Sequence, residues 1–243
     1  MYLHLYEEVR LLGYSKEDIL RKCKVAFENI KTFYKQSFIN YNGKTTDTNE
    51  YYTEVVAEFI CDNITEYKNG IPQITREASY RTDGHDGSFD KDTPREEERI
   101  AMEMYVQSQQ GLKYDYIGNI IDYQTPLKNK RCDVAGKIDL LSYDGSTLYI
   151  LELKKPDSDE SMLRCVLEGY TYMQTVDKGK LLDDFNLPAN TVVAASPFVF
   201  RNKLQYEQMK EDRPRLFRLM QLLNSKPYYI TRENNIYKVG ELK

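Results

Sequence analysis

Lys137-Ile138-Asp139-Leu140-Leu141-Ser142-Tyr143, then Asp144-Gly145, then Ser146-Thr147-Leu148-Tyr149-Ile150-Leu151-Glu152-Leu153-Lys154 is the stretch that decides the fold. Both flanks are rich in β-branched, aromatic and aliphatic residues, and Asp-Gly is a favoured hairpin turn, so two strands joined by a tight connection are expected. Loop length sets the register. A two-residue turn at Asp144-Gly145 puts Asp139 opposite Ile150, and period-two alternation then places Asp139, Ile150, Glu152 and Lys154 on one face. A four-residue loop, Asp144 to Thr147, sets Asp139 directly opposite Glu152 and again keeps them together. A three-residue loop separates the carboxylates unless a bulge restores the phase. Leu151 and Leu153 flank Glu152 as in a buried central strand, an unfavourable place for unpaired charge.

Two carboxylates and a lysine delivered this way suit phosphodiester hydrolysis, which brings water to an anionic phosphorus and stabilises charge on the scissile oxygens. Mg²⁺ serves both ends and prefers a couple of carboxylates plus waters and phosphate oxygens in an octahedral shell. Lys154 lies two residues after Glu152 and points to the same side. There it can orient or help deprotonate the water, or neutralise the phosphate. The plain alternative is a surface hairpin whose charges are solvated.

Asp139 with Glu152-Leu153-Lys154 resembles the PD-(D/E)xK nuclease superfamily, which has the restriction-endonuclease-like fold. Leu151-Glu152-Leu153-Lys154-Lys155-Pro156 is close in phrase to the nuclease domains of type I restriction subunits, and the likeness covers roughly residues 93 to 200. The residue before Asp139 is Ile138 rather than proline, a departure that many members of this divergent group share. The resemblance implies an α/β fold: a restriction-endonuclease-like core with a mixed central β-sheet flanked by helices, running helix, three strands, helix, strand. It implies a Mg²⁺-dependent nuclease, with Mn²⁺ able to substitute. Asp139, Glu152 and the Leu153 carbonyl would then hold the metal, and Lys154 would handle the water or the phosphate. Relatives often add a metal-proximal glutamate from the first helix of the core. Glu97, three and four residues before Ile100 and Ala101, has that spacing; the alternative is three acids, Glu96 to Glu98, at a positive helix N-terminus. Lys155 and Lys137, beside the motif, are further candidates for substrate contact or support.

The text around the hairpin follows the expected order. Thr93-Pro94-Arg95-Glu96 reads as a helix start, with Thr93 as N-cap, Pro94 first in the helix and Glu96 closing a capping box. Tyr114 to Leu127 reads as the first strand. The acidic stretch Asp157 to Glu160 is expected to cap a helix from about Ser161 to Val176. Some exonuclease-like members carry Gln-x-x-x-Tyr there; this chain has Glu168 and Tyr172 at the same spacing. A solvated glutamate and a packing tyrosine are the plain reading, and a substrate-side or supporting role is the other. Asn190 to Phe200 reads as a buried strand, parallel to its neighbour across the helix. Leu204 to Leu223 is a helix interrupted or kinked at Pro214, its Lys210, Arg213, Arg215 and Arg218 forming a solvated face or a phosphate grip. Tyr228 to Ile230 and Asn235 to Val239 close the sheet edge as a hairpin.

Residues 1–92 read as a helical N-terminal extension with a connector loop, and residues 93–243 as the nuclease-like core. Ser15 with Asp18 resembles a capping box opening a helix to about Phe38, and a second long helix spans about Asn49 to Tyr67, after a short helical segment at 2 to 12. Lys68 to Pro94 reads as a mobile connector; the polar run Thr82 to Ser88 lacks EF-hand spacing.

Composition narrows the partners. The net charge is −4, with 12 basic and 16 acidic residues before Pro94 and 22 of each from there on. A neutral core is compatible with a local basic cleft drawn from Lys128, Lys130, Arg131, Lys154, Lys155, Arg201 and Lys203. Nucleic acid is the expected partner, DNA favoured over RNA, and duplex cutting would favour a homodimer. The 21 tyrosines are mostly core and interface residues, with base stacking as an alternative. Cys23, Cys61, Cys132 and Cys165 have no Cys-x-x-Cys pairing and read as reduced thiols. His4 and His85 lie in terminal or loop text, which argues against histidine chemistry. Charge enters at Glu7 and no apolar run spans a bilayer, so no membrane is expected and the location is cytoplasmic. Two other classes stand beside the enzyme: a nuclease-fold module that binds nucleic acid without cutting it, and an assembly subunit whose motif residues form a structural ion cluster.

Overall fold

The computed structural model describes residues 13–82, 85, 95–128 and 136–241. Helix α1 is Lys16–Phe27, and its start is the expected capping box: Ser15 Oγ accepts the Asp18 N–H while Asp18 accepts the Ser15 N–H. The helix stops well short of Phe38. Two 3-10 turns follow, Ile30–Lys35 and Ser37–Asn40, whose tighter winding buries Phe33, Tyr34, Phe38 and Ile39 together. The second expected helix is two pieces, α2 (Tyr52–Asp62) and α3 (Ile64–Asn69). Asn49 has φ +57° and lies outside the helix, and the Asn63 amide turns back onto the Phe59 carbonyl at the break.

The connector is docked where it is described. Ile74 bridges to Val176, and fully buried Tyr80 donates its N–H to Asp184. The expected segment at 2 to 12, the Thr93-Pro94 helix start and most of the Thr82 to Ser88 run lie outside the described residues. Helix α4 is Glu96–Gln109, with extended Arg95 as its N-cap, so Glu96 opens the helix instead of closing a box on Thr93. Strand β1 is Asn119–Pro126, shorter than expected because Tyr114 and Gly118 exchange backbone hydrogen bonds in a tight turn. Gly118 has φ +74°, and a Cβ there would lie 2.1 Å from the Tyr143 carbonyl oxygen.

Strands β2 (Lys137–Tyr143) and β3 (Thr147–Leu153) are the hairpin. Helix α5 (Met162–Thr175) is capped by the Ser161 hydroxyl rather than by the acids before it, and short α6 (Lys178–Asp184), not foreseen in the sequence, follows. Strand β4 is Val192–Phe200. The residues 204 to 223 form two helices, α7 (Leu204–Lys210) and α8 (Pro214–Leu223), because Pro214 suits a first helical position and cannot continue a helix. Strands β5 (Tyr228–Glu233) and β6 (Ile236–Glu241) close the edge.

The six strands form one sheet in the order β1-β2-β3-β4-β5-β6. The β3–β4 and β4–β5 pairs are parallel and the others antiparallel, so the sheet is mixed. Helices cover both faces. Leu141, Leu148, Ile150 and Ala195 join a cluster with α1 to α3 and α5 to α8, while Leu140, Leu151, Leu153 and Phe198 pack with Ile100, Ala101 and Met104 of α4. Burial on both faces explains why β3 reads as an almost unbroken apolar run around Glu152. The N-terminal helices share that first cluster: Glu54 of α2 accepts the N–H groups of Arg215 and Leu216 at 2.9 Å each, capping α8. No helix among the described residues is long and apolar enough to cross a membrane.

Candidate functional site

The hairpin takes the four-residue register. Tyr143 pairs with Leu148 and Leu140 with Leu151, so one step further sets Asp139 across from Glu152. The connection is held by Asp144, whose carboxylate accepts the N–H groups of Ser146 and Thr147 at 2.7 and 2.8 Å. On the other side of β2, Tyr123 pairs with Leu140 and Thr125 with Ile138, which puts Gln124 beside Asp139. Gln124, Asp139 and Glu152 thus form a row across three strands.

Asp139 is half-buried and held twice: Oδ1 accepts from Gln124 Nε2 at 3.1 Å and Oδ2 from the Leu153 N–H at 3.0 Å. Glu152 is buried beneath α5, where Gly169 permits the close approach; a Cβ there would stand 3.3 Å from the Glu152 Cβ. Lys154 is buried too. Its Nζ lies 2.8 Å from Glu152 Oε1, 3.3 Å from Glu168 Oε2 and 2.6 Å from Glu160 Oε2. Glu168 also accepts from Arg164 Nε at 3.1 Å and from the Tyr172 hydroxyl at 2.9 Å. Arg164 reaches on to the Tyr34 carbonyl.

These contacts fix the charge states. Burial pushes the Asp139 carboxyl up to about 7, with Glu97 and Glu168 adding to the rise and Lys154 and the Leu153 N–H opposing it. Burial, then Glu168 and Asp139, carry Glu152 well above the usual carboxylate range against the pull of Lys154. Burial alone would depress the Lys154 ammonium, but Glu152, Glu168 and Glu160 outweigh it and hold the charge well above the ordinary lysine value. Glu168 is the ionised partner: burial opposes its charge, yet Lys154 and Arg164 keep it below its usual value. Among the described residues, four carboxyl groups (Asp139, Glu152, Glu160, Glu168) gather about two cations (Lys154, Arg164).

The raised Asp139 has a testable sign. The folded protein keeps a proton that the unfolded chain loses between its ordinary value of 3.8 and about 7. Stability from this group is complete below the unfolded value and is lost as pH rises through that window. Asp139→Asn is expected to unfold like wild type near pH 4 and to be more stable near pH 8 without divalent metal, by about 2 kcal/mol after allowing for partial exposure. Denaturant unfolding across the pH range reads the difference; parallel curves would remove Asp139 from this role.

The remaining expected residues divide. Leu153 ends β3, with its N–H on Asp139 and its side chain buried. Glu97 comes to the same end of the sheet, but its Oε1 accepts the Lys155 N–H at 3.1 Å. There it buttresses the chain after Lys154 and stands near enough to raise the Asp139 carboxyl; among the described residues, no group of three or more His, Cys, Asp or Glu is placed to hold a metal ion. Lys155 pairs its ammonium with Asp157 at 2.9 Å, and Lys137 is exposed at the start of β2. Glu168 and Tyr172 are a correction to the solvated-glutamate reading, since α5 lies on the sheet and both are buried. A Cβ at Gly136 would come within 2.3 Å of the Tyr172 hydroxyl, so the chain entering β2 closes directly over that pair.

Glu160, Arg164, Tyr34 and Gln124 were not singled out in the sequence. The Arg164–Glu168 pair has helical i, i+4 spacing and could have been found that way; the others are brought in by tertiary packing. His85, set aside as loop text, places Nδ1 2.5 Å from Asp122 Oδ1 and stacks on Tyr123 at 3.9 Å. The cations from Lys210 to Arg218 divide: Lys210 and Arg218 are exposed, as a solvated face requires, and the other two are not. Arg213 is buried over the Tyr51 ring and bonds Thr53, and Arg215 pairs with Glu50 and Glu58. Of the suggested basic cleft, Lys130 and Arg131 lie outside the described residues, Lys154 is buried, and Arg201 and Lys203 are exposed. Cys23, Cys61 and Cys165 are free and buried; Cys132 and His4 are outside the described residues.

Comparison of the chain with protein-family models, with curated proteins and with solved structures finds no match.

Proposed function

We propose that this protein is a Mg²⁺-dependent nuclease of the PD-(D/E)xK type, built on a restriction-endonuclease-like core and hydrolysing phosphodiester bonds of nucleic acid, DNA first. The observation that carries the reading is the acid excess: Asp139 and Glu152 lie one step beyond the Leu140–Leu151 pair of two neighbouring strands, with more carboxyl groups than cations around them among the described residues. Uncompensated buried carboxylates are costly, and a divalent cation offsets two of them. The donor set fits Mg²⁺, with Asp139 and Glu152 as oxygen ligands and the Leu153 carbonyl beside them. When bound, Mg²⁺ supplies Lewis-acid activation of water and neutralises phosphate charge. Gln124 and the Leu153 N–H orient Asp139. Lys154, held protonated by Glu152, Glu168 and Glu160, serves as a hydrogen-bond donor and a positive charge for a scissile oxygen, and not as the base.

The test is cleavage of labelled single- and double-stranded DNA by wild type with Mg²⁺, Mn²⁺ or EDTA. Cutting with either metal and none in EDTA is expected, and product lengths separate endonuclease from exonuclease action. Cutting that persists in EDTA would overturn the proposal.

One observation favours a second reading, a non-cleaving binding or assembly subunit. Lys154 already has three carboxylates within 3.3 Å, which is how a structural ion cluster is built. In that case DNA stays intact under every metal condition, and sedimentation with and without DNA tells a binding module from a self-associating subunit.

A further inference from the structure

Gln124 combines a disfavoured backbone with a contact to the candidate site. Its φ is +49°, inside a strand whose neighbours stay paired on both sides, Tyr123 with Leu140 and Thr125 with Ile138. The register irregularity of β1 lies elsewhere, between Ile120 and Asp122, so the left-handed residue is neither a strand end nor the slip itself. Among the described residues, seven other non-glycine residues have positive φ; six are asparagine, which tolerates that region, and none is in a strand. Glutamine lacks asparagine's short local hydrogen bond, so something else holds Gln124 there. Such outliers are informative when the surroundings enforce them.

What the side chain does there is specific. An ionised Asp139 accepts only, and in that state the Gln124 amide nitrogen, not its oxygen, faces Oδ1. The Leu153 N–H fixes one oxygen, Oδ2, and by itself leaves the carboxylate able to swing about its terminal torsion. The second donor fixes the plane. Each oxygen keeps a lone pair for a cation, so the two donors orient the carboxylate without consuming it. Glu152, in the same row, has its own anchor in Lys154. Among the described residues, Asp139 has none but Gln124 and the β3 backbone among its hydrogen bonds.

We infer that Gln124 is a positioning residue of the site, its left-handed backbone aiming the amide that fixes the Asp139 carboxylate for a divalent cation; the inference rests on the nuclease reading above. Gln124→Leu removes the amide and keeps the bulk. Gln124→Gly removes the amide and relieves the backbone, since glycine accepts φ +49° freely.

The experiment compares both variants with wild type by calorimetric titration with Mn²⁺, by melting in EDTA, and by cleavage over a range of Mn²⁺ concentrations. Both variants are expected to bind Mn²⁺ about tenfold more weakly, to need correspondingly more Mn²⁺ for half-maximal cleavage, and Gln124→Gly to melt no lower than wild type. A glutamine that only supports the strand gives the reverse, a lower melting point in the glycine variant and unchanged Mn²⁺ affinity, which overturns the inference. Variants equal to a wild type that binds Mn²⁺ overturn the Gln124 assignment alone. A wild type that binds no Mn²⁺ removes the nuclease reading and the role of Gln124 together.

Discussion

Glu152→Gln is expected to lose DNA cleavage by at least about 10³-fold, roughly 4 kcal/mol of barrier, while melting no lower than wild type in metal-free buffer. The substitution keeps the volume against Gly169 and leaves an amide oxygen for Lys154. It removes a negative charge from a place where burial, Glu168 and Asp139 all disfavour one. The fold therefore gains or breaks even, and only cation binding suffers. This opposition between activity and stability is the signature of a site whose charge is kept for function. Wild-type cleavage by Glu152→Gln would take Glu152 out of the site; loss of cleavage together with a large fall in melting point would make it structural.

Lys154→Met is expected to destabilise the protein by about 3 kcal/mol near pH 8, because removing one partner of a buried ion cluster leaves the others unpaired. Glu152, Glu160 and Glu168 then face Arg164 alone. The sign with pH follows from Glu168, which the lysine keeps below its ordinary value. A depressed carboxylate contributes stability above the unfolded value and loses it as pH falls through the folded one. The gap between wild type and Lys154→Met should therefore narrow toward acid. Adding Glu168→Gln to Lys154→Met removes one of the carboxylates left in excess and should restore part of the loss, a coupling that urea unfolding of the single and double variants measures. A gap that is the same at pH 8 and well below the ordinary glutamate value of 4.5 would mean that lost packing, and not charge, dominates.

The contrast between what the chain declares and what it conceals follows the range of the forces. The Asp139–Glu152 register could be narrowed to a few loop lengths because strand alternation is local, and Asp144 then selected the four-residue connection by accepting the Ser146 and Thr147 N–H groups. The parallel β4 and the Pro214 break are local in the same sense. Glu168 reads as solvated in the sequence because an isolated helix pattern cannot show that α5 lies flat on the sheet, buried on nearly every side. Tyr34 joins the cluster only through packing between elements distant in the sequence, and Glu160 through the path of the short connection between β3 and α5. Gln124 left no trace in composition or periodicity, since its contribution depends on a backbone conformation that strand text does not announce. Arg213 read as part of a charged face, yet it is swallowed between α2 and α8 because Tyr51 and Thr53 offer it a ring and a hydroxyl.

The acid excess around Asp139 and Glu152 is the feature from which the functional reading grows, and it can be tested without knowing the substrate. The measurement is a calorimetric titration of Mn²⁺ into metal-free wild type, Asp139→Asn and Glu152→Gln near pH 8. Saturable binding by wild type that both variants lose is expected. No binding by wild type, or equal binding by all three, would contradict a divalent-cation site at these residues and leave Lys154 with its glutamates as a structural cluster.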